Sequence, residues 1–378
     1  MEMASPSFGF MVLMFLVVIT ILVFVHEMGH YLVARLCKVR VDTFSIGFGR
    51  ELFGWNDKHG TRWRISAIPF GGYVKFFGDA GIASNPDGSL SELSDEEKRV
   101  AFHFKPLHQK AAIVAAGPLI NYLFAILIFA AFFATLGYSY SPPVVETVVE
   151  GSPAERAALE PGDRVVAIDG VEMETFSDIG RYVFIRPGEE IKLEIERGEQ
   201  RIERVALLDR VETEDQFENK AEKGSLGISS QIAEIRSVGP IEAFGLAVSR
   251  VWDVQILMIE SLKRVITGSL SVDQLGGPLK IAKFSGEAAS LGVLSLVSFI
   301  AFISISLGFM NLLPVPMLDG GHLAFYAFEA VSGRPASIRA QEYATMAGLA
   351  CVLVFFVFVT VNDLKSFGVW DRLSSLFS

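Results

Sequence analysis

The chain alternates between long apolar runs and polar stretches of contrasting character. Four runs reach the length of about 20 apolar residues that a bilayer core requires: roughly Phe8 to Leu36, Ala111 to Leu136, Leu291 to Leu313 and Tyr343 to Val361. Each predicts a membrane-spanning helix. Between the first two, "TRWRISAI" alternates polar and apolar positions, with Trp63, Ile65 and Ala67 on one face, and "YVKF" resumes after Pro69–Gly72. Alternation interrupted by Pro and Gly predicts a membrane-associated β-hairpin over Arg62–Phe77. The next stretch, Asp79 to Val100, is polar, turn-rich and charged, and reads as a mobile loop.

Between the second and third runs the pattern changes to that of a small α+β domain. A short helix is bounded by Pro153 and Pro161–Gly162, strands are expected at Val165–Ile168 and Ile191–Glu196, and a helix near Phe176–Val183. Ser141 to roughly Ser230 can form one such domain. Pro240 to Arg264 has helical periodicity and predicts an amphipathic helix, packed on the domain or lying at the membrane surface. The expected organisation runs from a first span (1–37) through a hairpin-bearing loop (38–110) and a second span (111–137) to the external domain (138–230). An amphipathic helical linker (231–290), a third span (291–320), a short loop (321–342) and a fourth span with its tail (343–378) complete it.

Composition agrees with this multi-pass reading: 51% of the 378 residues are hydrophobic and 20% charged. The first run has no basic segment before it and no small-x-small cleavage pattern after it, so it is not read as a cleaved signal. Arg35, Lys38 and Arg40 follow it, and the positive-inside rule puts them in the cytoplasm. The N-terminus, the α+β domain and the C-terminus are then external. The net charge of −10 has much of its acidic excess in the external segment, which argues against a nucleic-acid partner. Cys37 and Cys351 fall at or within spans, so no disulfide framework is expected.

The chemistry lies in "VFVHEMGHYLV", inside the first span. His26, Glu27 and His30 form HExxH, in which the i and i+4 imidazoles share one helix face and can reach one ion. Neutral imidazoles suit zinc, although another divalent ion could use them, and a third protein ligand leaves one position for water. Glu27 is then placed to take that water's proton. By composition such a motif arises by chance in roughly one sequence in a hundred of this length. Here, however, His26 lies about 18 Å along the axis from the inner end of the helix, at 1.5 Å per residue. Ionisable groups at that depth are costly and mark function. The partner is Asp319 in "FMNLLPVPMLDGGH", at the inner end of the third span, where Pro314 and Pro316 break the helix and Gly320–Gly321 allow close backbone approach. Asp319 completes a two-His-one-carboxylate set. His322 reads as a surface residue.

"VHEMGHYLVAR", "IPFGGYVKF", "AAGPLIN" and "NLLPVPMLDGGH" together resemble the site-2 protease family of intramembrane zinc metalloproteases, and within it the regulator-of-sigma-E protease group. The resemblance implies zinc on His26, His30 and Asp319, Glu27 as catalytic base, and Asn311 holding the unwound substrate backbone. A helix–helix hydrogen bond is the other reading of Asn311. Asn121 is expected to serve helix packing. "GSPAERAALEPGDRVVAIDG" resembles a circularly permuted PDZ domain, of which one copy is present, with "GSLGIS" (Gly224–Ser229) as its carboxylate loop or a plain turn. The fold class expected is thus four transmembrane helices, a membrane-associated β-hairpin and one PDZ-like α+β domain. The resemblance further implies single-pass membrane proteins, already trimmed outside, as substrates: an anti-sigma factor or remnant signal peptides, cut in a bacterial inner membrane. A membrane adaptor with an inactive metal site, or a zinc transporter, is the competing reading. Neither accounts for Glu27, Asp319, Asn311 and the hairpin together.

Overall fold

The computed structural model describes residues 6–79, 93–184, 186–214, 220–267 and 276–366. In chain order the elements begin with α1 (Phe8–Leu36), β1 (Val41–Asn56), β2 (Arg62–Phe76), α2 (Asp95–Val100) and α3 (Leu107–Leu136). There follow β3 (Tyr138–Tyr140), β4 (Thr147–Val148), α4 (Pro153–Arg156), β5 (Arg164–Ile168), β6 (Val171–Glu172) and α5 (Phe176–Phe184). Next come β7 (Glu190–Arg197), β8 (Gln200–Leu207), β9 (Asp209–Glu214), β10 (Lys220–Ser225), β11 (Ile228–Ser229) and β12 (Glu234–Arg236). The remainder is helical: α6 (Pro240–Ile266), α7 (Pro278–Ser290), α8 (Val293–Leu312), α9 (Asp319–Ser332) and α10 (Ile338–Ser366). Among the described residues, four helices are long and apolar enough to cross a membrane, namely α1, α3, α8 and α10.

The chain divides into two compact units. The first comprises residues 1–129, 247–259 and 271–378, and the second residues 130–246 and 260–270. In the first unit, α1 buries Val18 and Leu22 against Ile300 of α8. Tyr31 and Ala34, at its far end, join Val41, Phe44, Val74, Phe76 and Ile113 in a second cluster. That cluster seats the β-structure on the end of α1 and the start of α3, with Val41 and Phe44 of β1 and Val74 and Phe76 of β2 buried in it.

The β-structure corrects the expected hairpin. The two halves of β2 do not pair with each other. Thr43–Ile46 of β1 has partners on both sides, Arg62–Ile65 on one and Gly72–Lys75 on the other, while Glu51–Asn56 pairs back onto Arg62–Ser66. Pro69 and Gly71, the latter at φ +105°, permit the bend between the halves. Gly72–Phe76 therefore forms an outer edge with β1 on one side only. The turn that reverses the chain is at Asp57. Its Oδ1 accepts the backbone N–H groups of His59 (2.8 Å) and Thr61 (3.0 Å), and its Oδ2 accepts from Trp63 Nε1 (2.9 Å) and Tyr31 Oη (3.1 Å). An Asx turn of this kind substitutes for a backbone turn.

Burial pushes the Asp57 carboxyl up, but the hydrogen bonds from Trp63, Thr61, His59 and Tyr31 outweigh it and hold the pKa at about 2. A folded-state pKa below the unfolded value means stabilisation that is complete above the unfolded pKa and disappears as pH falls through the folded one. Limited proteolysis at residues 57–61 is accordingly expected to be pH-independent above about 5 and to accelerate as pH falls from about 4 towards 2. Asp57→Asn should be susceptible at every pH.

Two further expectations are corrected. The loop after β2 was expected to lack structure, but Asp95–Val100 is helical, fixed by a capping box in which Ser94 and Glu97 exchange side-chain and backbone hydrogen bonds. Residues 80–92 of that loop lie outside the described set, as does the tail beyond 366. The segment 231–290 is not one linker: α7 is a separate helix packed against α1, α8 and α10. Small residues allow this, since Ser285, Gly286 and Ala288 are buried and a Cβ on Gly286 would lie 2.6 Å from Met11 Cγ. Asp363 of α10, fully buried, accepts the backbone N–H groups of Gly277 (3.0 Å), Leu279 (3.1 Å) and Lys280 (3.1 Å) and so caps α7.

In the second unit, β6-β5-β7-β8 form an antiparallel sheet whose inner face (Val165, Ile168, Ile191, Leu193, Ile195) packs against α5 through Ile179 and Val183. β4–β11 and β9–β10 form separate two-stranded antiparallel pairs in the same unit. The ribbon β3–β12 pairs Tyr140 with Glu234, bringing entry and exit of the unit together.

Candidate metal centre

Helical spacing alone brings His26 and His30 together on the buried face of α1. Their Nε2 atoms are 3.3 Å apart. Asp319, the first residue of α9, projects its Oδ2 to 3.2 Å from His26 Nε2 and 3.5 Å from His30 Nε2. The loop that presents Asp319 is held tightly. Met317 adopts φ +89°, a costly conformation for a residue with a side chain. A Cβ on Gly320 would collide with the carbonyl oxygens of Leu312 and Leu313, so only glycine allows α9 to start so close to the end of α8.

These three atoms fit a zinc ion on two grounds. With ligand bonds of 2.0–2.1 Å, a tetrahedral zinc spaces its ligand atoms by roughly 3.3–3.4 Å. The observed triangle has sides of 3.2, 3.3 and 3.5 Å. The second ground is proton accounting. His30 Nδ1 lies 2.9 Å from the Ile113 carbonyl oxygen, which can only accept, so Nδ1 carries the proton and Nε2 of the neutral ring presents a lone pair. Asp319 Oδ2 is buried, faces both imidazole nitrogens and meets no hydrogen-bond partner of regular geometry. His30 Nε2 and Asp319 Oδ2 are thus acceptors converging with His26 Nε2 on one point, and a cation there would satisfy all three. Among the described residues, His26, His30 and Asp319 are the one group with such spacing.

A profile of peptidase family M50 matches residues 14–355, most of the chain. The chain belongs to peptidase family M50, the site-2 protease family. M50 relatives include a Rhizobium meliloti protein described as a "putative zinc metalloprotease", 46% identical over 356 residues that cover 93% of this chain and 95% of that protein. A second, from Agrobacterium fabrum and described in the same words, is 47% identical over 357 residues, covering 93% and 95%. Metalloprotease MmpA of Caulobacter vibrioides is 36% identical over 396 residues, covering 98% of this chain and all of that one. The zinc requirement of M50 metalloproteases agrees with the donor set. Among solved structures, the PDZ domain of an SdrC-like protein from Listeria monocytogenes is similar to 24% of this chain and 87% of that domain, at 21% identity and a TM-score of 0.20.

Around the M50 site the structure adds what the motif could not. Glu27 is 9% exposed. Its side chain meets the outer strand, where a Cβ on Gly72 would lie 3.1 Å from Glu27 Cγ and 2.7 Å from both Ser45 O and Val23 Cγ1. The backbone amide of Val74 faces the same carboxylate. On the opposite side, α3 lies so close that a Cβ on Gly117 would overlap His30 Nε2 and come within 2.9 Å of His26 Cε1. Asn311 is half-buried in the last turn of α8, eight positions before Asp319, and His322 is partly buried in the first turn of α9. Asn121 does more than pack: it is fully buried and its side-chain amide reaches His26 Nδ1 at 3.1 Å. "AAGPLIN" gave the signal, since an amide in an apolar helix needs a partner, but which partner depended on the crossing of α1 and α3.

Proposed function

We propose that this M50 metalloprotease cuts within the transmembrane helix of single-pass membrane proteins after their outer domains have been trimmed. The observation that carries this reading is the outer strand Gly72–Phe76, which has β1 on one side and, among the described residues, no strand on the other and lies against Glu27, beside His26 and His30 of a membrane-spanning helix and Asp319 of α9. A peptide bond in a helix is shielded, and an unwound segment in lipid must satisfy its backbone groups on protein. Strand addition to Gly72–Phe76 supplies those partners at the place where cleavage occurs. Asn311 offers its amide to the same extended backbone. Exposed Leu52, Phe53, Trp55, Ile65 and Ile68 give the β-structure an apolar surface suited to the lipid interface.

His26, His30 and Asp319 hold the zinc, which when bound acts as a Lewis acid and makes water acidic enough to ionise near neutrality. Glu27 accepts the proton of the attacking water and delivers it to the leaving amine nitrogen. Arg35, Lys38 and Arg40 set α1 with its C-terminal end in the cytoplasm of a bacterial inner membrane, which puts the N-terminus, the second unit and the C-terminus on the periplasmic side. The second unit then acts as a PDZ-like size filter, with Gly224–Ser229 as its peptide-end loop. Gly227 at φ +78° leads into β11 there. Anti-sigma factors of envelope stress signalling, and remnant signal peptides, have the required form.

Two changes to the enzyme separate these parts of the proposal. Gly72→Ala should slow cleavage of a trimmed single-pass reporter about tenfold or more while leaving zinc content unchanged, as a small misplacement at the reacting centre does. Cleavage at the wild-type rate would remove the edge from the mechanism. Deleting Ser141–Ser230, which the β3–β12 ribbon allows to be bridged by a short linker, should admit an untrimmed reporter that the intact enzyme rejects. Continued rejection would remove the filter.

A further inference from the structure

His26 reaches the metal corner through Nε2, so its neutral ring must carry its proton on Nδ1. A buried N–H needs an acceptor, and the atom placed beside it, 3.1 Å away, is Asn121 Nδ2, an amide nitrogen that can only donate. Only the amide oxygen can accept. The other end of that amide is buried in the same turn of α3 and meets no hydrogen-bond partner. Nothing else in the described structure therefore fixes which way round the amide sits, and the proton on His26 decides it, by turning Oδ1 toward the ring. The backbone at this residue is independently fixed, since Ser304 Oγ of α8 donates to the Asn121 carbonyl oxygen at 2.9 Å. His30 is treated in parallel by the Ile113 carbonyl, two turns earlier on α3.

We infer that Asn121 is a positioning residue for the zinc site: its Oδ1 accepts the His26 Nδ1–H, fixes the ring's tautomer and rotation, and tunes how strongly Nε2 binds metal. With Ile113, it makes one face of α3 the outer shell for both histidines. The inference rests on the zinc assignment above and adds a residue to it. Outer partners of ligating histidines change metal affinity by about 10–100-fold when removed.

The test is zinc affinity of the full-length purified protein, by competition with a chelating dye, for wild type, Asn121→Leu, Asn121→Ala, Asn121→Asp and His26→Ala. Asn121→Leu keeps the shape and removes the acceptor, and should weaken zinc binding about 10–100-fold with helix content unchanged. Asn121→Ala should match it. Asn121→Asp keeps an acceptor and loses the donor, and should recover most of the affinity lost in Asn121→Leu. Cobalt-loaded Asn121→Leu should show an altered visible ligand-field spectrum, which a packing role would not produce. Wild-type affinity in Asn121→Leu would overturn the inference, as would an Asn121→Asp as weak as Asn121→Leu. An effect in Asn121→Ala alone would assign the residue to packing and overturn it too. If His26→Ala keeps wild-type affinity, the zinc assignment itself fails, a result distinct from all of these.

Discussion

Glu27→Gln is expected to abolish measurable cleavage of a trimmed reporter while the protein keeps its zinc. A general base contributes about 10²–10⁴-fold to rate, equivalent to roughly 3–5 kcal/mol of barrier at 1.36 kcal/mol per decade. Gln preserves the volume that Gly72 and Val74 enclose but cannot take a proton, so the change isolates the base from its packing. Initial rates in detergent, with zinc measured on the same preparations, give the answer. Rates within a few-fold of wild type would make Glu27 a structural carboxylate and return the chain to the adaptor reading.

The second large effect concerns the ligand from α9. Asp319→Ala removes one of three donors and leaves two neutral imidazoles, so zinc should be lost on dialysis that the wild type survives. The loss in affinity should exceed the roughly 10–100-fold expected for an outer partner of a ligand. Cleavage should fall with zinc content and return in part at high added zinc. Retention of one zinc per chain through dialysis would show that Asp319 is not a ligand, and that the close approach of Oδ2 to both imidazoles serves the fold alone.

Much of this architecture can be read from residue pattern, and the limits are physical. An i, i+4 pair of histidines on an apolar helix implies its own geometry, because both atoms ride on one rigid element. The four long apolar runs imply helices for the same reason: in lipid the backbone has few alternatives. Asp319 could be picked out through the Pro and Gly residues around it, although its approach depends on Gly320 tolerating the end of α8. β1 was hidden because Gly47, Gly49 and the bulged register break its alternation, so the strand that carries the sheet shows no clean period. α7 was hidden because its stabilising partners, Asp363 and the surface around Met11, lie far away in sequence. Asn121 was visible as an amide in an apolar helix, but its bond to His26 exists only where α3 crosses α1.

The central claim is that one zinc ion sits on His26, His30 and Asp319 within the membrane-spanning bundle. X-ray absorption at the zinc edge of the purified, zinc-loaded protein tests it most directly. The account predicts four light-atom ligands at about 2.0–2.1 Å, two of them showing imidazole outer-shell scattering, with no sulfur. That outer-shell signal should fall to one imidazole in His30→Ala. A sulfur shell near 2.3 Å, pointing to Cys37 or Cys351, or a spectrum unchanged in His30→Ala, would contradict it.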